Sequence, residues 1–152
     1  RELVFQTESG KANFSMAEVP DILPPEGCLT LCTLRSHDQF NTTVYSDNDR
    51  YRGVKNLRTL LFMNSKDMEA RNISNMSLIN ITSIARDGSR RGVTGYRAVN
   101  YDIPTGCVAG YMPELNVLCP ITDISTQSDQ PLMKSVIVEV ESCYPPQEDP
   151  FA

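Results

Sequence analysis

Short apolar runs with threonine and other β-branched residues interleaved set the strongest limit on what this chain can fold into. Cys28-Leu29-Thr30-Leu31-Cys32-Thr33-Leu34 is the first, and Leu57-Arg58-Thr59-Leu60-Leu61-Phe62-Met63 the second. Both read as buried strands. Met76 to Arg86 alternates apolar and polar residues, as in Leu78-Ile79-Asn80-Ile81-Thr82-Ser83-Ile84, the period-2 signature of a long strand. Asp87-Gly88 is a turn dipeptide, and Val93 to Val99 reads as the returning hairpin partner. Cys107 to Met112 is a smaller apolar patch, and Ser135-Val136-Ile137-Val138-Glu139-Val140-Glu141 is a final strand. A helical signature follows only the second run. There Ser65 reads as an N-cap, acids occupy the first turn, and a short helix extends to Arg71.

Strands and helices do not alternate, so a parallel doubly wound sheet is not expected. A mainly β, six-stranded closed barrel with a few short helices in the connections is, because closure removes exposed strand edges. The 152 residues suffice for one domain with a real core. A 40% hydrophobic and 22% charged composition reads as globular rather than disordered. Residues 1–26 read as a connecting arm. They hold polar runs and then Val19-Pro20-Asp21-Ile22-Leu23-Pro24-Pro25, whose prolines remove backbone donors and suit a surface crossing. Phe5 and Phe14 are its expected anchors. Residues 27–144 form the barrel, and 145–152, with Pro145, Pro146 and Pro150, a C-terminal tail. The start at Arg1, without Met or an apolar signal region, is what a domain excised from a longer chain shows.

Charge and cysteine usage narrow the function classes. A net charge of −5 argues against a broad nucleic-acid surface, yet leaves room for a local basic pocket. No run approaches the ~20 apolar residues of a membrane-spanning helix. The five cysteines, Cys28, Cys32, Cys107, Cys119 and Cys143, include no Cys-x-x-Cys pair. An odd count without a signal peptide suits free thiols in a reducing cytoplasm. The Asn-x-Ser/Thr matches at Asn13, Asn41, Asn72, Asn75 and Asn80 then read as chance rather than glycosylation.

The densest polar cluster is Arg35-Ser36-His37-Asp38-Gln39-Phe40-Asn41-Thr42-Thr43, straight after the first strand. Arg35 is suited to a phosphate, while Gln39, Asn41 and Thr42 offer donors and acceptors for a heterocycle. Composition alone leaves a ligand site and a solvated loop both open. His37 is the single histidine and cannot build a multi-His metal site. Ser36, His37 and Asp38 are adjacent in sequence, which is poor support for a catalytic triad. Asp47-Asn48-Asp49-Arg50-Tyr51-Arg52-Gly53 lacks the terminal Glu of a calcium loop. Arg50 and Arg52 suit phosphates or, more commonly, neighbouring acids.

Taken in order, these segments resemble the C-terminal domain of formate-dehydrogenase-like molybdopterin oxidoreductase alpha subunits. The likeness is carried by Thr33 to Thr43, Asn48-Asp49-Arg50-Tyr51-Arg52-Gly53, Tyr101-Asp102-Ile103-Pro104-Thr105-Gly106-Cys107, Tyr111-Met112-Pro113-Glu114-Leu115-Asn116 and Pro131-Leu132-Met133-Lys134-Ser135-Val136. Ser9 to Phe14 is similar to the segment leading into that domain. One departure is Ala70 to Asn75, where relatives have a Gly-rich turn.

The resemblance implies a double-psi β-barrel that binds molybdopterin guanine dinucleotide, with molybdenum or tungsten in the full-length protein. It implies an iron–sulfur cluster in an N-terminal region outside this chain, and partners in the subunit's other domains and an electron-transfer subunit. Carried over residue by residue, Thr33, Arg35, Ser36, Gln39, Asn41 and Thr42 match the segment lining the pterin and diphosphate. Asn116 matches an Asn facing the cofactor from a late polar loop, and Lys134 a basic position near the pterin end. His37, Asp38, Arg52 and Glu114 are placed as braces for those loops. The metal-ligating and cluster-ligating residues are not found here, so the fragment is expected to catalyse nothing alone. A cofactor-free β-barrel interaction module is the alternative, since fold does not fix function.

Overall fold

The computed structural model describes residues 4–18 and 23–143. The 145–152 tail and part of the proline-rich stretch fall outside them. Six strands form: β1 (Leu29–Leu34), β2 (Leu60–Met63), β3 (Leu78–Ile84), β4 (Arg90–Asn100), β5 (Cys107–Tyr111) and β6 (Val136–Ser142). One helix, α1 (Ser65–Glu69), follows β2, and a 3-10 turn covers Asn116–Leu118.

The strands close into a barrel in the order β1-β5-β2-β4-β3-β6. β1 runs parallel to β5, and β2 to β4; the other four pairings are antiparallel. Period-2 alternation supplies the core: Leu29 and Leu31, Ile79 and Ile81, and Val138 and Val140 all point inward and are buried. β2 does not alternate, and its four residues are all buried. Leu61 and Met63 fill the barrel, while Leu60 and Phe62 meet a second cluster with Val54, Ala109 and Tyr111. A strand covered on both faces reads as a continuous apolar run, which is how it looked in the sequence.

Three local expectations are revised. The strand expected from Leu57 starts at Leu60, because Arg58 turns into a polar network and its carbonyl accepts from Leu60 N. The cap of α1 is Asn64, not Ser65. Asn64 Oδ1 accepts from Lys66 N at 2.9 Å while its Nδ2 donates to the Ile103 carbonyl at 2.6 Å. Capping and anchoring by one side chain favour it over Ser65. Phe14 is fully exposed and Phe5 52% exposed, so neither anchors the arm. In the Ala70 to Asn75 segment Asn72 takes a left-handed conformation (φ 52°), which Asn tolerates better than most residues.

Candidate functional site

β1 and β5 are parallel and end side by side, with Leu34 opposite Tyr111. β2 runs against β5 and therefore begins at the same rim. Three loops collect there: 35–46 after β1, 47–57 before β2, and 112–119 after β5.

Arg58 sits at their junction, 7% exposed. Its Nε donates to Glu114 Oε1 at 2.5 Å, and Nη2 to Glu114 Oε2 at 3.1 Å. Nη2 also donates to Gln39 Oε1 (3.1 Å) and to the Met112 carbonyl (2.9 Å). Nη1 donates to Ser36 Oγ (2.9 Å) and the Ser46 carbonyl (3.3 Å). The rings of Tyr45 and Tyr111 lie 4.1 and 4.9 Å from the guanidinium carbon. A buried guanidinium is tolerable only when paired and fully hydrogen-bonded, as this one is. Sequence reading missed Arg58. It stands in an apolar run where an outward-facing strand residue looks the same.

Gln39 is bound as completely. Its Oε1 accepts from Ser36 N (2.9 Å), Ser36 Oγ (3.2 Å) and Arg58, while Nε2 donates to the Asn41 and Met112 carbonyls, both at 2.8 Å. Asp49 is the second buried anchor. It accepts from Arg52 Nη1 (2.5 Å), Tyr111 Oη (2.9 Å) and the amides of Tyr51 and Arg52. Burial pushes its carboxyl pKa up, but the Arg52 and Tyr111 hydrogen bonds and the Arg52 charge outweigh this and hold it below its ordinary value. The Tyr111 phenol is pushed well up by burial and by Asp49, so it stays protonated as a donor.

His37 accepts from Arg50 Nη2 at 2.8 Å and meets the Tyr51 ring edge-on at 3.9 Å between centroids. Ser36 Oγ is engaged by Arg58 and Gln39 rather than by His37. The arrangement is a brace, not a proton relay.

The eight residues singled out in the sequence differ in how far the protein engages their side chains. Thr33, Ser36 and Gln39 are engaged within the protein: Thr33 Oγ1 donates to the Met133 carbonyl at 2.9 Å, and Ser36 and Gln39 lie in the Arg58 network. Arg35, Asn41 and Thr42 are exposed, and no group among the described residues hydrogen-bonds their side chains. Asn41 holds a left-handed conformation (φ 53°) at the loop tip. Lys134 donates to the Thr33 carbonyl and lines a cavity of about 370 Å³ with Arg86, Asp123 and Ser135. Asn116 Oδ1 is buried and has no hydrogen-bond partner among the described residues. Leaving a buried acceptor unmade costs about 1–3 kcal/mol, so such an atom calls for a partner, an ordered water or a ligand group.

Residues 29–137 match the family model described as the molydopterin dinucleotide binding domain. The chain belongs to that family. The match opens on the first residue of β1 and ends inside β6, so it contains every rim loop and all eight candidate residues. Among similar proteins, an uncharacterized oxidoreductase of Mycobacterium tuberculosis is 40% identical over 141 residues, which is 90% of this chain and 18% of that protein. Protein YdeP of Escherichia coli K12 is 34% identical over 143 residues, 90% of this chain and 19% of that protein. The chain thus spans about a fifth of the length of these relatives. Acetylene hydratase from Pelobacter acetylenicus shares the fold with a TM-score of 0.52 at 12% identity, over 76% of this chain and 18% of that one.

A dinucleotide presents phosphates, a guanine and a pterin, which call for directional hydrogen bonds and a few cations rather than a nucleophile. At this rim the exposed Arg35 and Asn41 side chains offer donors, and the Asn116 oxygen an acceptor. Among the described residues no cluster of His, Cys, Asp or Glu is arranged to hold a metal, and no helix is long and apolar enough to cross a membrane.

Proposed function

We propose that this barrel holds a molybdopterin guanine dinucleotide within a full-length molybdenum- or tungsten-dependent oxidoreductase resembling formate dehydrogenase alpha subunits. The observation that carries the reading is Asn116 Oδ1, a buried acceptor left without a partner among the described residues, in a chain of the dinucleotide-binding family. The named oxidoreductase among the relatives supports the reading of the parent as an enzyme.

Arg35 takes a phosphate, Asn41 and Thr42 meet heterocycle edges, and Asn116 and Lys134 approach from the opposite loops. Thr33, Ser36 and Gln39 hold the contacting residues in place. Bound, the cofactor supplies two-electron redox chemistry at its metal; the barrel supplies affinity, orientation and exclusion of water. Residues 27–144 act as this holder and 1–26 as the arm from preceding domains. Those domains carry the substrate pocket and an iron–sulfur relay towards an electron-transfer subunit, and the fragment alone turns over nothing. The parallel β1–β5 and β2–β4 pairs inside an otherwise antiparallel closed sheet support the double-psi type. The five free thiols support a cytoplasmic location.

The test uses the full-length protein with Arg35→Ala or Asn41→Ala, assayed for bound metal and released guanine nucleotide. Both contents should fall in each variant. Wild-type content in both would remove the site assignment.

A further inference from the structure

We propose that Arg58 is a positioning residue. It locks the loop after β1 and the loop after β5 into one preformed ligand face without touching the ligand. The inference rests on reading this rim as the dinucleotide site.

All three guanidinium nitrogens are already committed. Nε goes to Glu114, Nη1 to Ser36 and Ser46, and Nη2 to Gln39, Met112 and Glu114. Two of these partner sets lie on different loops. Ser36, Gln39 and Ser46 belong to the loop that presents Arg35, Asn41 and Thr42; Met112 and Glu114 belong to the loop that presents Asn116. Gln39 repeats the bridge by donating to both the Asn41 and the Met112 carbonyls. Tyr45, itself half-exposed, covers one face of the guanidinium, and Tyr111 lies against it from the barrel side.

The geometry demands arginine. A planar fork of five donors can satisfy a carboxylate in two places and still reach a hydroxyl, an amide and two carbonyls. A lysine ammonium has three donors on one atom and cannot span both loops. With the fork in place, the loops are ordered on folding rather than on binding, and a ligand meets a prepared face.

The experiment uses the full-length protein carrying Arg58→Lys, with Arg35→Ala as reference. Hydrogen exchange is followed by mass spectrometry, and released guanine nucleotide is quantified well below the unfolding temperature. Exchange should rise together in residues 35–46 and 112–118 while β3 and β6 keep wild-type protection, and nucleotide content should fall by about tenfold. Gln39→Glu is the milder second variant, should Arg58→Lys not fold. It keeps the acceptor for Arg58 but faces the Met112 carbonyl with an oxygen, so the same two segments should loosen to a smaller degree. Exchange that is unchanged, rises in one loop only, or rises throughout the barrel overturns the positioning role. So does full nucleotide content in Arg58→Lys when Arg35→Ala has lost it. Full content in both variants instead overturns the site reading beneath it, and the positioning role with it.

Discussion

Asn116 is held by its backbone, through Asn116 N to the Pro113 carbonyl at 2.9 Å, while its side-chain oxygen is buried and has no hydrogen-bond partner among the described residues. A residue kept for packing would not carry that penalty. Asn116→Ala should therefore leave the cofactor-free chain as stable as wild type, or more stable by about 1 kcal/mol, since a buried unmade acceptor is removed. In the loaded parent the same change should lower bound nucleotide. Urea denaturation and nucleotide release measure the two effects, and a loss of stability in the free chain would mark Asn116 as structural. Asp49 behaves in the opposite sense, because its hydrogen bonds are made. Its folded pKa lies below the ordinary value of 3.8. The stability it contributes is present above that value and is lost as pH falls through the depressed folded pKa. Wild type should exceed Asp49→Asn in stability at neutral pH, and the gap should close below about pH 4. An unchanging gap down to pH 2 would contradict this. Cysteine chemistry divides too: Cys32 is exposed, whereas burial and then Asp123 push the Cys119 thiol up against the opposing Lys134. Alkylation at neutral pH should reach Cys32 first, as peptide mass mapping would show.

β5 connects residue chemistry to loop placement. Gly110 lies against the loop that carries Asn116: a Cβ there would meet Leu115 Cδ1 at 2.3 Å and the Leu60 carbonyl at 2.8 Å. The leucine can move; the strand backbone cannot. Gly110→Ala should cost about 1–3 kcal/mol by overpacking and lower nucleotide content by shifting the 112–119 loop. Thermal denaturation showing no loss would mean that β5 has slack here. Elements were the most legible level of the sequence. All six strands lie where apolar runs or alternation placed them, and the Asp87-Gly88 turn joins β3 to β4, with Gly88 at φ 81°. What was misread was polar detail at element ends. Asn64 outcompetes Ser65 as cap because it also reaches the Ile103 carbonyl, a partner 39 residues away. Arg58 was not singled out because its partners come from loops 12 to 56 residues distant.

At the scale of the molecule, a closed barrel followed from the lack of strand–helix alternation, but its strand order did not. β1 pairs with β6 across the chain, Leu29 opposite Val138, and nothing local in either strand specifies that partner. The same closure brings segments far apart in sequence to one rim, so a polar loop at 35–43 and a lone Asn at 116 become parts of one face. The ordered resemblance located those segments; the structure separates side chains engaged within the protein from those the described residues leave unengaged. The most direct measurement is the guanine nucleotide released from the full-length protein carrying Arg35→Ala and Asn116→Ala together, two changes outside the Arg58 network. Content about tenfold below wild type, with wild-type melting of the barrel, is the predicted result. A full complement of nucleotide in that double variant would contradict it.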